Sequence, residues 1–338
     1  MTPSRRCRTR SRAEAGQAAG PATPGHFQPK GEVRMAQIHS NPKRRRSRRS
    51  WAASIALIPM ALTVVLAYVG TVLWSVRVSF SSAKTFARDD FVGFAQYERL
   101  FNTDRWIVSL HNVALFGVLF VSCCLVIGFL LAVFIDQRVR LEGVFRTIFL
   151  YPYAMSFVAT GLIWQWMLNP QLGIQASVRL MGFESFTFDW IVTQDKVMYC
   201  IVLAAVWQAS GLVMAILLAG LRGVDEELWK AARIEGVPRW RYYANIVLPQ
   251  LAPSVGTAFV LLSVAVVKVY DAVVAMTQGG PGDASEVPAK FIMDHLFNRA
   301  NIGLASAAST VMLLTVLALL APWWYARSHA ARNAGRAA

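Results

Sequence analysis

Six mostly apolar stretches, at 51–76, 111–135, 149–169, 197–221, 250–274 and 304–326, limit what this chain of 338 residues can fold into more than any other feature of it. A helix rises 1.5 Å per residue and the hydrocarbon core of a bilayer is roughly 30 Å thick, so about 20 apolar residues cross it. Only a helix satisfies every backbone N–H and C=O within such a segment. The chain is 55% apolar and 16% charged, a balance unlike that of a soluble domain. Gln165 and Asn169 dilute the third stretch. Trp51, Trp74, Trp323, Trp324 and Tyr325 stand near stretch ends, where indole and phenol rings favour the membrane–water boundary. The expected fold is an all-α integral membrane protein of six transmembrane helices.

Charge sets the orientation. With the N-terminus inside, the inner segments carry 24 lysines and arginines and the outer loops 9, and 13 of the 24 lie in residues 1–50. The run Lys43-Arg44-Arg45-Arg46-Ser47-Arg48-Arg49 abuts the first stretch, where the positive-inside rule acts most strongly. Six crossings then place both termini and the 222–249 segment in the cytoplasm. The net charge of +15 is mostly topological, and no nucleic-acid partner is expected. The expected organisation is a basic, disordered cytoplasmic tail over 1–50, a membrane domain over 51–326 and a short cytoplasmic tail over 327–338. Residues 1–34 lack apolar periodicity, and Lys30-Gly31-Glu32 can be encoded by a purine-rich ribosome-binding stretch, so the natural start is expected at Met35. Cys7, Cys123, Cys124 and Cys200 form no metal or disulfide pattern and read as small packing residues.

Between the fourth and fifth stretches lies a charged insert, DEELWKAARIEGVPRWRYYANIVLPQ, beginning at Asp225. Asp225 suits a helix N-cap, with Glu226 and Glu227 in the first turn where the helix dipole favours negative charge. Leu228, Ala231, Ala232 and Glu235 fall at helical spacing, and Leu228 with the two alanines is expected to make one slim face. Gly236 supplies a position for positive φ that ends the helix. Pro238 opens a second short helix with Trp240, Tyr243 and Ile246, and Pro249 is expected to break it. The product is a helix–turn–helix shaped for a partner's groove.

The order Ala231-Ala232, three residues, Gly236, nine residues, Ile246, one residue, Leu248-Pro249 resembles the EAA-x3-G-x9-I-x-LP coupling loop of binding-protein-dependent ABC importer permeases. Lys230 stands where the family pattern has Glu. Thr277-Gln278-Gly279-Gly280-Pro281, after Tyr270-Asp271, is similar to the T-x-G-G-P stretch of sugar-importing permeases, and Tyr151-Pro152-Tyr153 leading into Gly161-Leu162-Ile163-Trp164-Gln165-Trp166 is similar too. The likeness covers about residues 50–327 and is greatest to carbohydrate-uptake permeases of the maltose and glucose/mannose type. It implies one half of a heterodimeric pore in a bacterial inner (plasma) membrane. A second permease subunit, a cytoplasmic ATPase dimer and a periplasmic sugar-binding protein would complete the importer, with no cofactor in this chain. It also implies that Glu227, Ala231, Ala232, Glu235, Gly236, Ile246, Leu248 and Pro249 meet the ATPase. Two other readings are an importer permease for an amino acid, peptide or phosphate, and an ATP-independent channel or secondary transporter.

Residues for the solute follow from polar groups at membrane depth, which are costly and so tend to mark a path. Lys268 and Asp271, three apart, are expected on one face of the fifth helix. Gln165 and Asn169 are expected on one face of the third, and Gln208 and Ser210 lie inside the fourth. Aromatic rings beside neutral amides and hydroxyls suit a sugar, whose C–H faces pack on rings while its hydroxyls bond to the neighbours. Enzyme chemistry finds little purchase. No G-x-x-x-x-G-K-[ST] occurs, and the histidines, at 26, 39, 111, 295 and 329, lie in tails or near stretch ends rather than opposite Ser210.

Overall fold

A computed structural model describes residues 51–84, 90–137 and 140–337. The basic run and the expected start at Met35 lie outside them. The chain divides at Leu57, and described residues 51–57 of the first unit are the opening of a helix. In chain order the helices are α1 (Trp51–Val64), continuing through a π turn at Val65–Gly70 into α2 (Thr71–Ser79), then α3 (Ala95–Phe101), α4 (Asp104–Asp136), α5 (Glu142–Ala154) and α6 (Phe157–Met167). There follow α7 (Ile174–Leu180), α8 (Val197–Leu221), α9 (Glu226–Ile234), α10 (Arg239–Tyr242), a π turn at Tyr243–Val247, α11 (Leu248–Gln250), α12 (Ala252–Val267), α13 (Tyr270–Met276), α14 (Pro288–Met293) and α15 (Ile302–Ala337).

Four of these stretches are long and apolar enough to cross a membrane: Leu57–Ser79, α4, α8 and the Ile302–Leu319 part of α15. Two more crossings arise if each of two bent pairs is one span, so the fold has four to six. The third expected span is not straight: α5 and α6 meet at 97°. Pro152 removes a helix bond near the end of α5, and Met155 and Ser156 are extended (ψ 150° and 137°). Inside a membrane the freed carbonyl of Met155 needs a donor, and Gln208 Nε2 supplies it at 3.0 Å.

The fifth expected span is broken twice. Residues 239–250 meet α12 at 71°, and the bend falls at Leu251, two residues after Pro249, which sits inside α11. The helix breaks again at Lys268 and Val269, so Lys268 and Asp271 do not share one continuous helix as expected. Tertiary packing explains the second break. Short α13 lies against α6, with Gly161 so close to Ala275 that a Cβ at 161 would stand 2.5 Å from the alanine methyl. A small residue at a helix crossing permits that approach. The sixth helix runs on from Ile302 to Ala337, through the segment expected as a tail.

α8 is the centre of the packing. Buried residues follow one another almost continuously along it, and 61% of its apolar stretch is buried. α4 instead buries one stripe, Trp106, Ser109, Asn112, Phe116, Phe120, Cys124, Gly128, Ala132 and Ile135, at spacings of three and four. Cys124 and Cys200 are buried in this core and Cys123 packs against it, all as free thiols. Residues 58–74 of the first span are exposed throughout.

Candidate functional site

The helix–turn–helix forms over the expected residues. Asp225 caps α9, its Oδ1 accepting from the Glu227 N–H at 3.0 Å, with Glu226 and Glu227 in the first turn. At the other end Gly236 takes φ +70°, a left-handed conformation that glycine adopts without penalty. Its N–H reaches the Arg233 carbonyl at 3.2 Å, and the Val237 N–H reaches the Ala232 carbonyl at 2.9 Å. That pair of bonds is a Schellman closure. Pro238 then caps α10.

The two alanines do not share a face. Ala232 is buried, below the edge-on contact of Trp229 with Tyr242 (centroids 4.8 Å apart), whereas Ala231 is exposed. Successive helical residues point about 100° apart, so the pinned Trp229–Ala232 side turns the neighbouring side outward. That outward side carries Glu227, Leu228, Ala231, Ile234 and Glu235, with Ile234 88% exposed. Ile246 is half-buried, and Leu248 and Pro249 are exposed. Behind the pair is a polar cavity of about 780 Å³, walled by Asp136 and Glu142 at the ends of α4 and α5 and by Arg222 and Arg239. Arg222 bonds Glu142 across it at 2.5 Å.

A second cavity, of about 400 Å³, opens between α4, α5–α6, α8 and α12–α13. Three of the expected solute-path residues meet there: Gln208, Lys268 and Asp271. The helix break brings the last two onto its wall by a route other than a common helix face. Gln165 and Ser210 are not part of that wall. Gln165 is half-buried elsewhere on α6, and the Ser210 hydroxyl faces its own helix, 3.4 Å from the Trp207 carbonyl. Asn169 falls beyond α6 and caps a turn, its Oδ1 accepting from the N–H groups of Gln171 and Leu172. The stacked rings of Phe116 and Phe120 (5.1 Å) and Thr160 complete the wall, and sequence reasoning missed all three. The phenylalanines look like ordinary core residues, and Thr160 gains meaning only from the cavity.

The far end of α4 holds a third cluster with no local signal. Arg105 pairs with Asp294 (2.6 Å), Glu286 (3.0 Å) and Asp283 (3.3 Å), while Lys290 and Arg299 pair with Glu286 and Asp294. Asn112 donates to the carbonyls of Ala284 and Glu286, both at 2.9 Å. Glu286 is 1% exposed. The adjoining turn Thr277–Gly282, where Gln278, Gly279 and Gly282 have positive φ, is held by Ser285, whose hydroxyl donates to the Gly280 carbonyl and meets the Thr277 hydroxyl, both at 2.7 Å. Burial alone would raise the Asp294 carboxyl, but hydrogen bonds from Asn298 and Arg105 and the charges of Arg105 and Arg299 hold it at about 2.

Residues 125–332 match the model of the binding-protein-dependent transport system inner membrane component family. The chain belongs to this family. This inner membrane component is therefore a multi-pass transport protein, and permeases of its kind work with a second permease, an ATPase and a binding protein. It is 35% identical over 271 residues to a probable ABC transporter permease of Pyrococcus horikoshii, covering 80% of this chain and 93% of that protein. It is 29% identical to the xylose/arabinose import permease of Haloferax volcanii, covering 79% and 85%. With the trehalose/maltose transport permease of Thermococcus litoralis the identity is 26%, covering 78% and 89%. The fold resembles a chain of a bacterial ABC transporter that imports the acidic polysaccharide alginate, with a TM-score of 0.69 over 80% of this chain and 93% of that one, at 18% identity.

Proposed function

We propose that this inner membrane component is one half of a heterodimeric pore that imports a sugar, driven by a cytoplasmic ATPase dimer and supplied by a periplasmic sugar-binding protein. The observation that carries the reading is the alignment of two features on α8. Gln208 lies on the wall of the mid-span cavity, and thirteen residues on, at Leu221, the helix reaches the base of the outward-facing 225–249 pair. At 1.5 Å per residue that is roughly 20 Å of rigid helix. A push on the pair thus has a direct mechanical route to the cavity.

The charge distribution puts 225–249 and both termini in the cytoplasm, so Glu227, Ala231, Glu235 and Ile234 present the docking face and Gly236 sets the angle of the pair. ATP closes the ATPase dimer, and the loaded binding protein engages the opposite side. Both must favour the same pore state for uptake to be driven. The cavity suits a sugar: it is lined by apolar rings, by the amide residue Gln208 and by the oppositely charged Lys268 and Asp271. Two of the relatives are named for sugar import.

The test is to purify the binding protein that co-operates with this chain and identify its ligand by mass spectrometry. A sugar is expected. An amino acid, a peptide or phosphate would replace the sugar reading with the corresponding importer, and uptake without the ATPase would remove the importer reading altogether.

A further inference from the structure

We infer that Gln208 is a positioning residue for transport, holding the bend between α5 and α6 by its hydrogen bond to the Met155 carbonyl so that the bend moves with α8. The inference rests on the import reading and deepens it, by assigning the donor side of the Gln208 amide to the pore's own backbone rather than to the solute.

α8 grips the bent pair at three neighbouring points. Gly211 seats α5, so closely that a Cβ at 211 would stand 1.9 Å from the Phe149 carbonyl oxygen. Trp207 meets Trp164 of α6 edge-on, with ring centroids 5.8 Å apart. Between these contacts Gln208, 2% exposed, donates from Nε2 to the Met155 carbonyl at 3.0 Å. The first two contacts hold the arms, and the third acts on the joint itself. Ser156, the N-cap of α6, makes no side-chain capping bond there.

The backbone explains why the joint needs a donor. In a continuous helix the Met155 carbonyl would accept from the N–H of Ala159, four residues on. At the bend Met155 has ψ 150°, which turns that carbonyl out of the helix, and the bond from Gln208 takes the place of the helical one. An unpaired carbonyl at membrane depth is costly, so the Gln208 donor leaves the bent chain as well satisfied at this point as a straight one. Tyr153, Phe157, Thr160 and Gly161 of the pair line the mid-span cavity, and Gly161 carries the contact to Ala275 of α13. The angle at Met155 thus sets where this wall stands. A displacement of the 225–249 pair reaches α8 at Leu221, travels along the helix to Gln208 and passes to the joint through this bond.

The experiment uses the complete transporter, with its second permease, ATPase and binding protein, in a lipid bilayer, and reads the bend directly. Spin labels are attached through Val144→Cys in α5 and Trp166→Cys in α6, both exposed positions, on a background in which Cys7, Cys123, Cys124 and Cys200 are replaced by alanine and ATP hydrolysis is retained. With the arms at 97° the two sites stand roughly 21 Å apart along the helix axes, against roughly 33 Å in one straight helix. Wild type should show the shorter distance. Gln208→Met keeps the length of the side chain and removes its donor, and it should raise the ratio of longer to shorter distances about fivefold, the equivalent of one hydrogen bond. Of xylose, arabinose, maltose and trehalose, the one taken up serves as the solute. Solute moved per ATP hydrolysed should fall about fivefold with the bend, while equilibrium dialysis of the same sugar against the permease–ATPase complex should be unchanged. Unaltered distances in Gln208→Met, or a wild type already at the longer distance, would overturn the inference. Weaker sugar binding with unaltered distances would assign Gln208 to the solute instead. Altered distances with normal solute moved per ATP would leave the bond structural and overturn the positioning role. The distances need no solute, so failure of the sugar reading leaves this test intact. If Gln208→Met fails to assemble, Ser156 is exchanged for its α-hydroxy analogue, which turns the Met155–Ser156 amide into an ester with a weaker acceptor and leaves every side chain in place. The same shifts, smaller, are expected, and their absence overturns the inference.

Discussion

At the Asp136 end of α4, the segment 225–249 is shaped by neighbours in sequence: an aspartate cap two residues from its donor, a glycine closure, and one ring contact between Trp229 and Tyr242. At the Arg105 end, roughly 50 Å away along a 33-residue helix, the segment 277–299 is tied down by bonds that span 181 and 189 positions. The first segment keeps its own shape and buries only Ala232, Tyr242 and Val247, so its seat in the core is small. The second cannot move without breaking an ionic cluster around the nearly inaccessible Glu286. Such a pairing, a loosely seated transmitter at one end and a braced frame at the other, is what a device needs if motion applied at one end is to change the middle.

The largest effect should come from breaking the brace. Arg105→Ala leaves Glu286 and Asp294 with fewer counter-charges in a buried setting, at a cost on the order of 3 kcal/mol. Hydrogen exchange should quicken across 279–299 while 225–249 keeps its protection. Equal change at both ends would mean that the two segments are not separately held. Gly236→Val comes next. A β-branched residue at φ +70° costs about 1–2 kcal/mol and swings α10 relative to α9. The protein should still insert, and exchange over 279–299 should stay as it was. Co-purification of the ATPase, uptake and binding-protein-stimulated hydrolysis should fall together, and normal values for all three would remove 225–249 as the coupling element. Asp225→Ala is smaller, about 1 kcal/mol, and should appear as faster exchange in the first turn of α9 alone.

The same contrast explains what could be read from the sequence. Asp225, Gly236 and Pro238 act on backbone within a few residues of themselves, so their consequences are legible one position at a time. The apolar stretches were legible because a bilayer demands a length. The alanine face failed because one tertiary contact, Trp229 with Tyr242, decides which side of α9 turns inward. The bend after Pro152 had a local cause that a span-length criterion overlooks. The break at Lys268 had none, since Val264–Val269 contains neither glycine nor proline, and it follows from the fit of α13 against Gly161. Arg105 was read only as one of the charges in an outer loop, because its partners Glu286 and Asp294 lie 181 and 189 positions away in sequence.

The smallest effect concerns pH and separates two groups within the brace. Asp294 is held at about 2, below its ordinary value of 3.8, so its stabilisation is fully present above pH 3.8 and is lost as the pH falls toward 2. His295 is also lowered from 6.5, chiefly by burial and then by the Arg299 and Arg105 charges, against the opposing hydrogen bond to the Phe291 carbonyl and the Asp294 charge. Its neutral form is favoured in the folded protein, so its contribution is present above pH 6.5 and declines as the pH falls through its lowered value. Protection factors over 279–299 should therefore be level from pH 8 to 7 and decline modestly toward pH 5, with Asp294 contributing nothing to that decline. His295→Gln, which keeps an uncharged polar side chain, should flatten the profile between pH 7 and 5. A decline that survives the substitution would assign it to a different group, and a decline that begins above pH 7 would contradict the lowered histidine.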